Sequence, residues 1–246
     1  MNTASHSAAA PVHGPAGSVR PAPRLPPLEN GDHLTRDEFE RRYAAMPPDV
    51  WAELIEGVVH MSSPVRQTVH GKPHAAVMGW LSAYWFATPG TELGDNASVR
   101  LDLDNEPQPD ALLFVQPDFG GRVRIGPEGY IEGAPELVAE IAASTSSLDM
   151  NAKMRAYRRN GVDEYLVWRV LDGAIDWFAL VAGQYERIAP DDAGVLRSRV
   201  FPGLRLDPAA MLRFDLPRVR AVLAEGLASP EHAAFAERLA VQRKPG

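Results

Sequence analysis

The chain has 246 residues, of which 45% are hydrophobic, a formal net charge of −7 and no cysteine. This composition allows one sizeable folded core and excludes disulfides, thiolate nucleophiles and cysteine-ligated zinc, while the negative charge argues against a non-specific DNA coat protein. No apolar run reaches the roughly 18 to 20 residues that span a bilayer, so we expect no membrane segment and, without cysteine, a cytoplasmic location.

The N-terminal segment, residues 1–33, is rich in Ala, Pro, Ser, Gly and His. Such a segment buries too little apolar surface to offset its ordering entropy, so we predict a disordered tail. We predict one folded domain over residues 34–215 and a helical C-terminal tail over residues 216–246. The domain begins with a short helix, for which Thr35 and Glu38 have the spacing of a capping box.

Apolar patterns predict a sheet with helices on it. Two short apolar runs flank Glu56–Gly57 and indicate a β-hairpin. Helices are predicted over residues 71–87, from apolar residues three and four apart, and over residues 148–160, after a Ser146–Asp149 capping box. Further strands are predicted at residues 99–103, 111–115, 137–142, 165–170, 175–181 and 184–188. We therefore expect an α/β fold, with a mixed, partly antiparallel β-sheet flanked by the two helices.

Two of the predicted buried strands carry one carboxylate each. Asp110 follows Pro109 and begins one strand, and Glu140 lies inside another. A carboxylate in an apolar strand is costly unless it is paired or bound to a metal. The strands alone leave two interpretations open. In the first, the carboxylates bind Mg²⁺, or Mn²⁺ in its place. In the second, each carboxylate is solvated or paired with an arginine. In a metal site, the backbone carbonyl of Ile141 is a further candidate ligand.

A lysine on the helix after Glu140 is the third candidate. Lys153 falls within the apolar stripe of Met150, Met154 and Tyr157, so its ammonium can reach the edge of the sheet and orient an attacking water. The alternative is a salt bridge between Lys153 and Asp149 on a solvated helix face.

Five short segments stand together in a recognisable order, and they are Trp51–Val59, Ser63–Arg66 with His70–Gly71, Pro107–Leu113, Gly133–Ile141 and Lys153–Tyr165. In this order and spacing, over about residues 34–190, they resemble the Uma-two family of putative restriction endonucleases, within the PD-(D/E)XK nuclease superfamily. The resemblance implies a restriction-endonuclease-like fold and metal-dependent hydrolysis of DNA phosphodiester bonds.

The resemblance also implies roles for the matching residues. Asp110 and Glu140 would bind the metal, and Lys153 would be the superfamily lysine. The simple superfamily motif has this lysine two residues after the acid, where this chain has Ala142. The lysine would therefore come from the following helix.

Other matching residues have less specific roles. Glu53 would be an additional metal ligand or would support one, and His70 would position substrate or water. Arg155, Arg158 and Arg159 either contact the DNA backbone or form a solvated helix end favoured by the helix dipole.

The preferred function is a metal-dependent endonuclease acting on DNA, and a homodimer would suit double-strand cleavage. The alternative is a non-catalytic nucleic-acid or protein-binding module with the nuclease fold, which the shifted lysine and the acidic charge leave open. RNA or a small phosphodiester is a third substrate class. Zinc at His70 and His74 is disfavoured because Gly71 replaces the glutamate of the zinc motif and Pro73 disturbs the turn.

Overall fold

The computed structural model describes three stretches of the chain, which are residues 25–61, 66–143 and 146–243. Predictions of disorder over residues 1–24, of part of the segment Ser63–Arg66 and of the last residues of the C-terminal tail concern residues outside these stretches. The predicted cap by the Ser146 side chain also lies outside what the structure describes, since only the backbone of Ser146 is described. No described helix is long and apolar enough to cross a membrane.

Helices occupy both halves of the described chain. The α-helices are α1 (Arg36–Tyr43), α2 (Lys72–Ala87), α3 (Ser146–Leu148), α4 (Met154–Asn160), α5 (Pro208–Leu212), α6 (Leu216–Leu227) and α7 (Pro230–Gln242). Single π-helical turns at Gln67–Gly71 and Asp149–Lys153 precede α2 and α4, and a 3-10 turn lies at Pro117–Phe119. The two long predicted helices therefore each begin with a widened turn.

The strands alternate with these helices. They are β1 (Ala52–Ile55), β2 (Val58–Met61), β3 (Thr91–Asp95), β4 (Val99–Arg100), β5 (Ala111–Val115), β6 (Arg124–Ile125), β7 (Ile131–Glu132), β8 (Leu137–Ala142), β9 (Glu164–Arg169), β10 (Ala174–Val181), β11 (Gln184–Arg187), β12 (Leu196–Arg197) and β13 (Arg205–Leu206).

The central sheet has six strands in the order β11-β10-β9-β8-β5-β3. Strands β8 and β9 are parallel, and the other neighbours are antiparallel. A parallel pair needs a crossover connection, and the helical segment from α3 to α4 supplies it. The predicted α/β fold with a mixed sheet flanked by helices is confirmed.

The two faces of the sheet enter different cores. Ala139 and Leu166 pack with α2 and with the C-terminal helices, whereas Val138 and Tyr165 pack on the other face with α4. Because side chains alternate along a strand, Glu140 shares the face of Val138 and points towards α4.

The C-terminal helices belong to the core on the α2 face of the central sheet. Side chains of α6 and α7 pack with α2 and the central sheet, and they include Val219, Leu223, Phe235 and Leu239. At the other end, described residues before the predicted domain start at residue 34 also pack on the hairpin, since Leu28 is buried with Val59, and Val59 exchanges backbone hydrogen bonds with Gly31 and Asp32.

The predicted capping box of the first helix does not form. Thr35 precedes α1, but its side chain makes no capping hydrogen bond. The Glu38 carboxylate instead accepts hydrogen bonds from Arg41 and Arg42, so it is unavailable to the helix start.

The strand predictions need three corrections. The edge strand β3 was not predicted, because Gly94 and the acidic residues around it hide any alternation. The predicted strand over residues 99–103 is only the two residues of β4, because Asp102 accepts hydrogen bonds from the Asp104 backbone and the Asn105 side chain and so forms a turn. The predicted loop over residues 117–135 contains the short strands β6 and β7.

The predicted hairpin is confirmed as β1–β2. Its two turn residues, Glu56 and Gly57, have φ values of 52° and 75°. Positive φ at both central positions is the geometry of the tight turn that suits hairpins, and glycine adopts it without strain. This turn sets the register, which pairs Glu53 directly with His60.

Glu106, which is buried, binds the hairpin through its backbone. The backbone groups of Glu106 and Leu54 exchange two hydrogen bonds of 2.8 and 3.1 Å. Burial, with the neighbouring Glu40 carboxyl, raises the pKa of Glu106 to about 8. Glu106 is therefore protonated at neutral pH in the folded protein, and this makes the free energy of unfolding depend on pH.

We expect Glu106 to make the free energy of unfolding fall as the pH rises from about 4.5 to about 8. Across this range the native state holds a proton that the unfolded chain has released. Glu106→Gln should therefore gain stability relative to the wild type as the pH rises. Urea denaturation of both proteins at about pH 5, 7 and 9 measures this difference, and a difference that does not change with pH would contradict it.

Candidate active site

A buried lysine lies at the centre of the predicted site. The Nζ atom of Lys153 is 3.0 Å from Glu53 Oε2, 3.0 Å from Glu140 Oε1 and 3.7 Å from Asp149 Oδ1. The Lys153 side chain is 6% exposed, so the salt bridge with Asp149 exists but is not on a solvated face. The π-helical turn that ends at Lys153 directs it to the sheet; such turns are frequent at functional sites.

Glu140 receives two donors from the helical side. Its Oε1 atom accepts a hydrogen bond from Lys153 and one of 2.8 Å from the Tyr157 hydroxyl. Burial raises the pKa of Glu140, and the nearby carboxylates add to this, while the Lys153 ammonium acts in the opposite direction. The carboxylate is thus held in one orientation by the helix that crosses it.

Asp110 lies where strands β5 and β8 separate. Their ladder ends at the pair Ala111–Ala139, and Asp110 Oδ2 then accepts a hydrogen bond of 2.6 Å from the Ile141 N–H. The carboxylate therefore replaces a strand carbonyl. The Oδ1 atom of Asp110 lies 3.0 Å from His70 Nε2.

Electrostatics keep Asp110 ionised. Burial alone would raise the pKa of Asp110, but the hydrogen bond and charge of His70, with the Ile141 N–H and Lys153, lower it. The same hydrogen bond to Asp110 raises the pKa of His70. The hydrogen bond between Asp110 and His70 therefore favours the charged form of both side chains at the edge of the site.

Glu53 joins the site from the hairpin. Its Oε2 atom contacts Lys153 and also accepts a hydrogen bond of 3.2 Å from the Gln108 N–H. Gln108 lies two residues before Asp110, so the loop that leads into β5 aligns two carboxylates of the site. The structure thus brings together all five predicted side chains, Asp110, Glu140, Lys153, Glu53 and His70.

Lys153 is a cation in this setting. Burial alone would lower the pKa of the Lys153 ammonium, but the carboxylates of Glu140, Glu53 and Asp149 outweigh burial and raise it. Lys153 therefore presents a positive charge and N–H donors to the carboxylates around it.

Comparisons with known proteins identify the family of this chain. The family model of Uma2, described as "Putative restriction endonuclease", matches residues 36–209. The chain belongs to the Uma2 family. Among solved structures it is similar to a putative nuclease of DUF820 from Anabaena variabilis ATCC 29413, at 14% identity and a TM-score of 0.52, over 70% of this chain and 97% of the other. That likeness supports the fold alone. No curated protein sequence matches the chain significantly.

The carboxylates of this Uma2 chain have the donor chemistry of a hard divalent cation. Asp110, Glu140 and Glu53 offer the oxygen ligands that Mg²⁺ and Mn²⁺ bind. As they stand, no three His, Asp or Glu side chains of the described residues are grouped closely enough to hold a metal ion. The residues fit a divalent cation by chemistry, while the Lys153 ammonium lies between two of them.

Some residues of the site were not predicted as site residues from the sequence. Tyr157 was predicted only as a core residue, yet its hydroxyl binds Glu140. Tyr165 supports the π-helical turn by donating a hydrogen bond of 3.0 Å to the Asp149 carbonyl. His60 lies opposite Glu53, a position that follows from the two-residue hairpin turn.

The three arginines of α4 lie outside this group. Arg155 pairs with Glu56, Arg159 pairs with Asp102, and Arg158 donates to the Gly183 carbonyl and the Gln184 side chain. Each is engaged within the chain, so a contact with the DNA backbone stays a prediction.

Removing the central cation should destabilise the fold. Lys153→Met leaves three buried carboxylates without their shared ammonium, and breaking a buried ion pair from one side costs about 3 to 5 kcal/mol. Urea denaturation in chelator measures the loss. Arg155→Met, which removes a solvent-exposed ion pair one half-turn away, is the control and should cost far less, because exposed ion pairs contribute little to stability. Equal stability of Lys153→Met and wild type would contradict this account.

Proposed function

We propose that this Uma2 protein is a metal-dependent endonuclease that hydrolyses DNA phosphodiester bonds. The observation that carries the proposal is the buried Lys153 ammonium between Glu53 and Glu140, with Asp110 at the adjacent strand end. Oxygen ligands would hold the divalent cation that metal-assisted phosphodiester hydrolysis needs, and a fixed positive charge beside them would stabilise the charge that develops on the phosphate. The family description and the nuclease-like fold support the same reaction class.

Asp110 and Glu140 would hold the metal, with Glu53 and the Ile141 carbonyl as additional ligands. Bound Mg²⁺ or Mn²⁺ would polarise the phosphate and acidify a water molecule. His70 holds Asp110 through its Nε2 atom, and this fixes the carboxylate for binding. Tyr157, as a donor to Glu140 Oε1, fixes the second carboxylate in the same way.

Lys153 would orient the attacking water and stabilise the negative charge that develops on the phosphate. Its raised pKa keeps the ammonium charged throughout. A fixed charge in a site shielded from water needs little reorganisation during the reaction. Lys153 would therefore contribute through electrostatics and orientation.

A non-catalytic binding module is the second candidate, and one observation favours it. The Lys153 ammonium already pairs with Glu53 and Glu140, two of the three carboxylates proposed as metal ligands. In that case the protein would bind DNA in a salt-sensitive manner and would not cleave it with either metal ion.

Cleavage of supercoiled plasmid tests the proposed function. We expect nicking with Mg²⁺ or Mn²⁺, none with chelator, and a loss on the order of 10²-fold or more in Asp110→Asn, Glu140→Gln and Lys153→Met. Glu136→Gln is the matched control, because Glu136 is a buried carboxylate directly before β8 and outside the site. It should retain wild-type cleavage.

Folded wild-type protein that nicks DNA under neither metal would contradict the endonuclease proposal. Equal cleavage by Lys153→Met and wild type, with Asp110→Asn inactive, would contradict the role of the lysine alone. Circular dichroism of each variant separates loss of chemistry from loss of fold.

A homodimer would place two such sites on the two strands of a duplex. We therefore expect a mass close to twice that of the 26.8 kDa chain in light scattering. A monomer mass across the working concentration range would contradict the dimer and leave single-strand nicking as the expected reaction.

A further inference from the structure

His60 faces the candidate site from the hairpin. It pairs directly with Glu53 across the β1–β2 ladder, and directly paired residues point to the same face. The neighbouring pair, Leu54 and Val59, is buried in the separate core beneath α1. His60 and Glu53 therefore occupy the opposite face, where Glu53 contacts Lys153.

The imidazole of His60 lacks a hydrogen-bond partner within the described chain. The two other histidines at the site are engaged, since His70 pairs with Asp110, and His74 contacts the Asp110 carbonyl and Asp95. His60 is half-buried and lies within electrostatic reach of Glu53 and Lys153. Among the described residues, nothing occupies either ring nitrogen, so both are open to a ligand in the site.

We propose that His60 is a substrate-contacting residue, whose ring N–H donates a hydrogen bond to a non-bridging oxygen of the DNA phosphodiester beside Lys153. This inference rests on the proposed function, because it requires the phosphodiester to enter the Lys153 site. A phosphate oxygen is the acceptor that suits the position of His60. Carboxylates enclose Lys153, so additional hydrogen-bond donors to a phosphate must come from residues at the edge of the site, such as His60.

Two properties of His60 suit this contact. Burial lowers the pKa of the imidazole, and a neutral ring offers one N–H donor and one acceptor. A hard cation prefers oxygen over imidazole nitrogen, so His60 is better matched to the phosphate than to Mg²⁺. The β-ladder also holds the His60 backbone in a fixed register.

Duplex binding by a cleavage-deficient protein tests the contact. In an Asp110→Asn background with Mg²⁺, we expect His60→Ala to weaken binding of a fluorescent duplex oligonucleotide by about tenfold or more, the effect of losing a hydrogen bond to a charged group. His60→Gln keeps an N–H donor and should recover most of the affinity. His33→Ala removes an exposed imidazole from the same part of the chain and should have no effect.

Equal affinity of His60→Ala and its background would overturn the inference, as would the absence of any duplex binding by the Asp110→Asn protein. If His60→Ala loses its fold, the duplex affinities of His60→Gln and an equally folded His60→Leu are compared instead. We expect His60→Gln to bind the duplex more tightly. Cleavage by the wild type is measured separately. If the wild type cleaves DNA but the His60 substitutions do not change duplex binding, only this inference is wrong. If duplex binding depends on His60 but the wild type does not cleave, only the endonuclease proposal is wrong.

Discussion

The burial of one ammonium group among carboxylates is the constraint on which this structure depends. Removing charges from water is expensive, and it is tolerated only when each charge keeps close partners. Lys153 meets this condition with partners from three elements: Glu53 from the hairpin, Glu140 from the central sheet and Asp149 from its own π-helical turn. Hairpin, sheet and helix must therefore be docked together for all of these charges to be compensated.

The same arrangement explains why the site is suited to chemistry. Carboxylates outnumber the single ammonium around Lys153, and this excess would favour a divalent cation, whose charge would then dominate the local field. Asp110 is held at the point where two strands separate, by the Ile141 N–H on one oxygen and by His70 on the other. The side chains that would act on a phosphodiester are thus oriented by hydrogen bonds from rigid elements.

Much of this could be predicted from the sequence because the signals are local. The Glu56–Gly57 turn, the strands that carry Asp110 and Glu140, and the helix that carries Lys153 all follow short-range rules of turn chemistry and periodicity. Strand β3 could not be predicted, since its short polar sequence becomes a strand only by pairing with β5. The roles of Tyr157 and His60 depend on contacts between distant elements, although the hairpin register alone already places His60 opposite Glu53.

The central claim is that these carboxylates form a metal site served by Lys153. The most direct measurement is a crystal structure of the protein soaked in Mn²⁺, with anomalous scattering recorded to locate the ion. The account predicts a peak bound by Asp110 and Glu140, with Lys153 still facing the site. Diffraction that shows Lys153 between Glu53 and Glu140, with no manganese at the carboxylates under saturating metal, would contradict it.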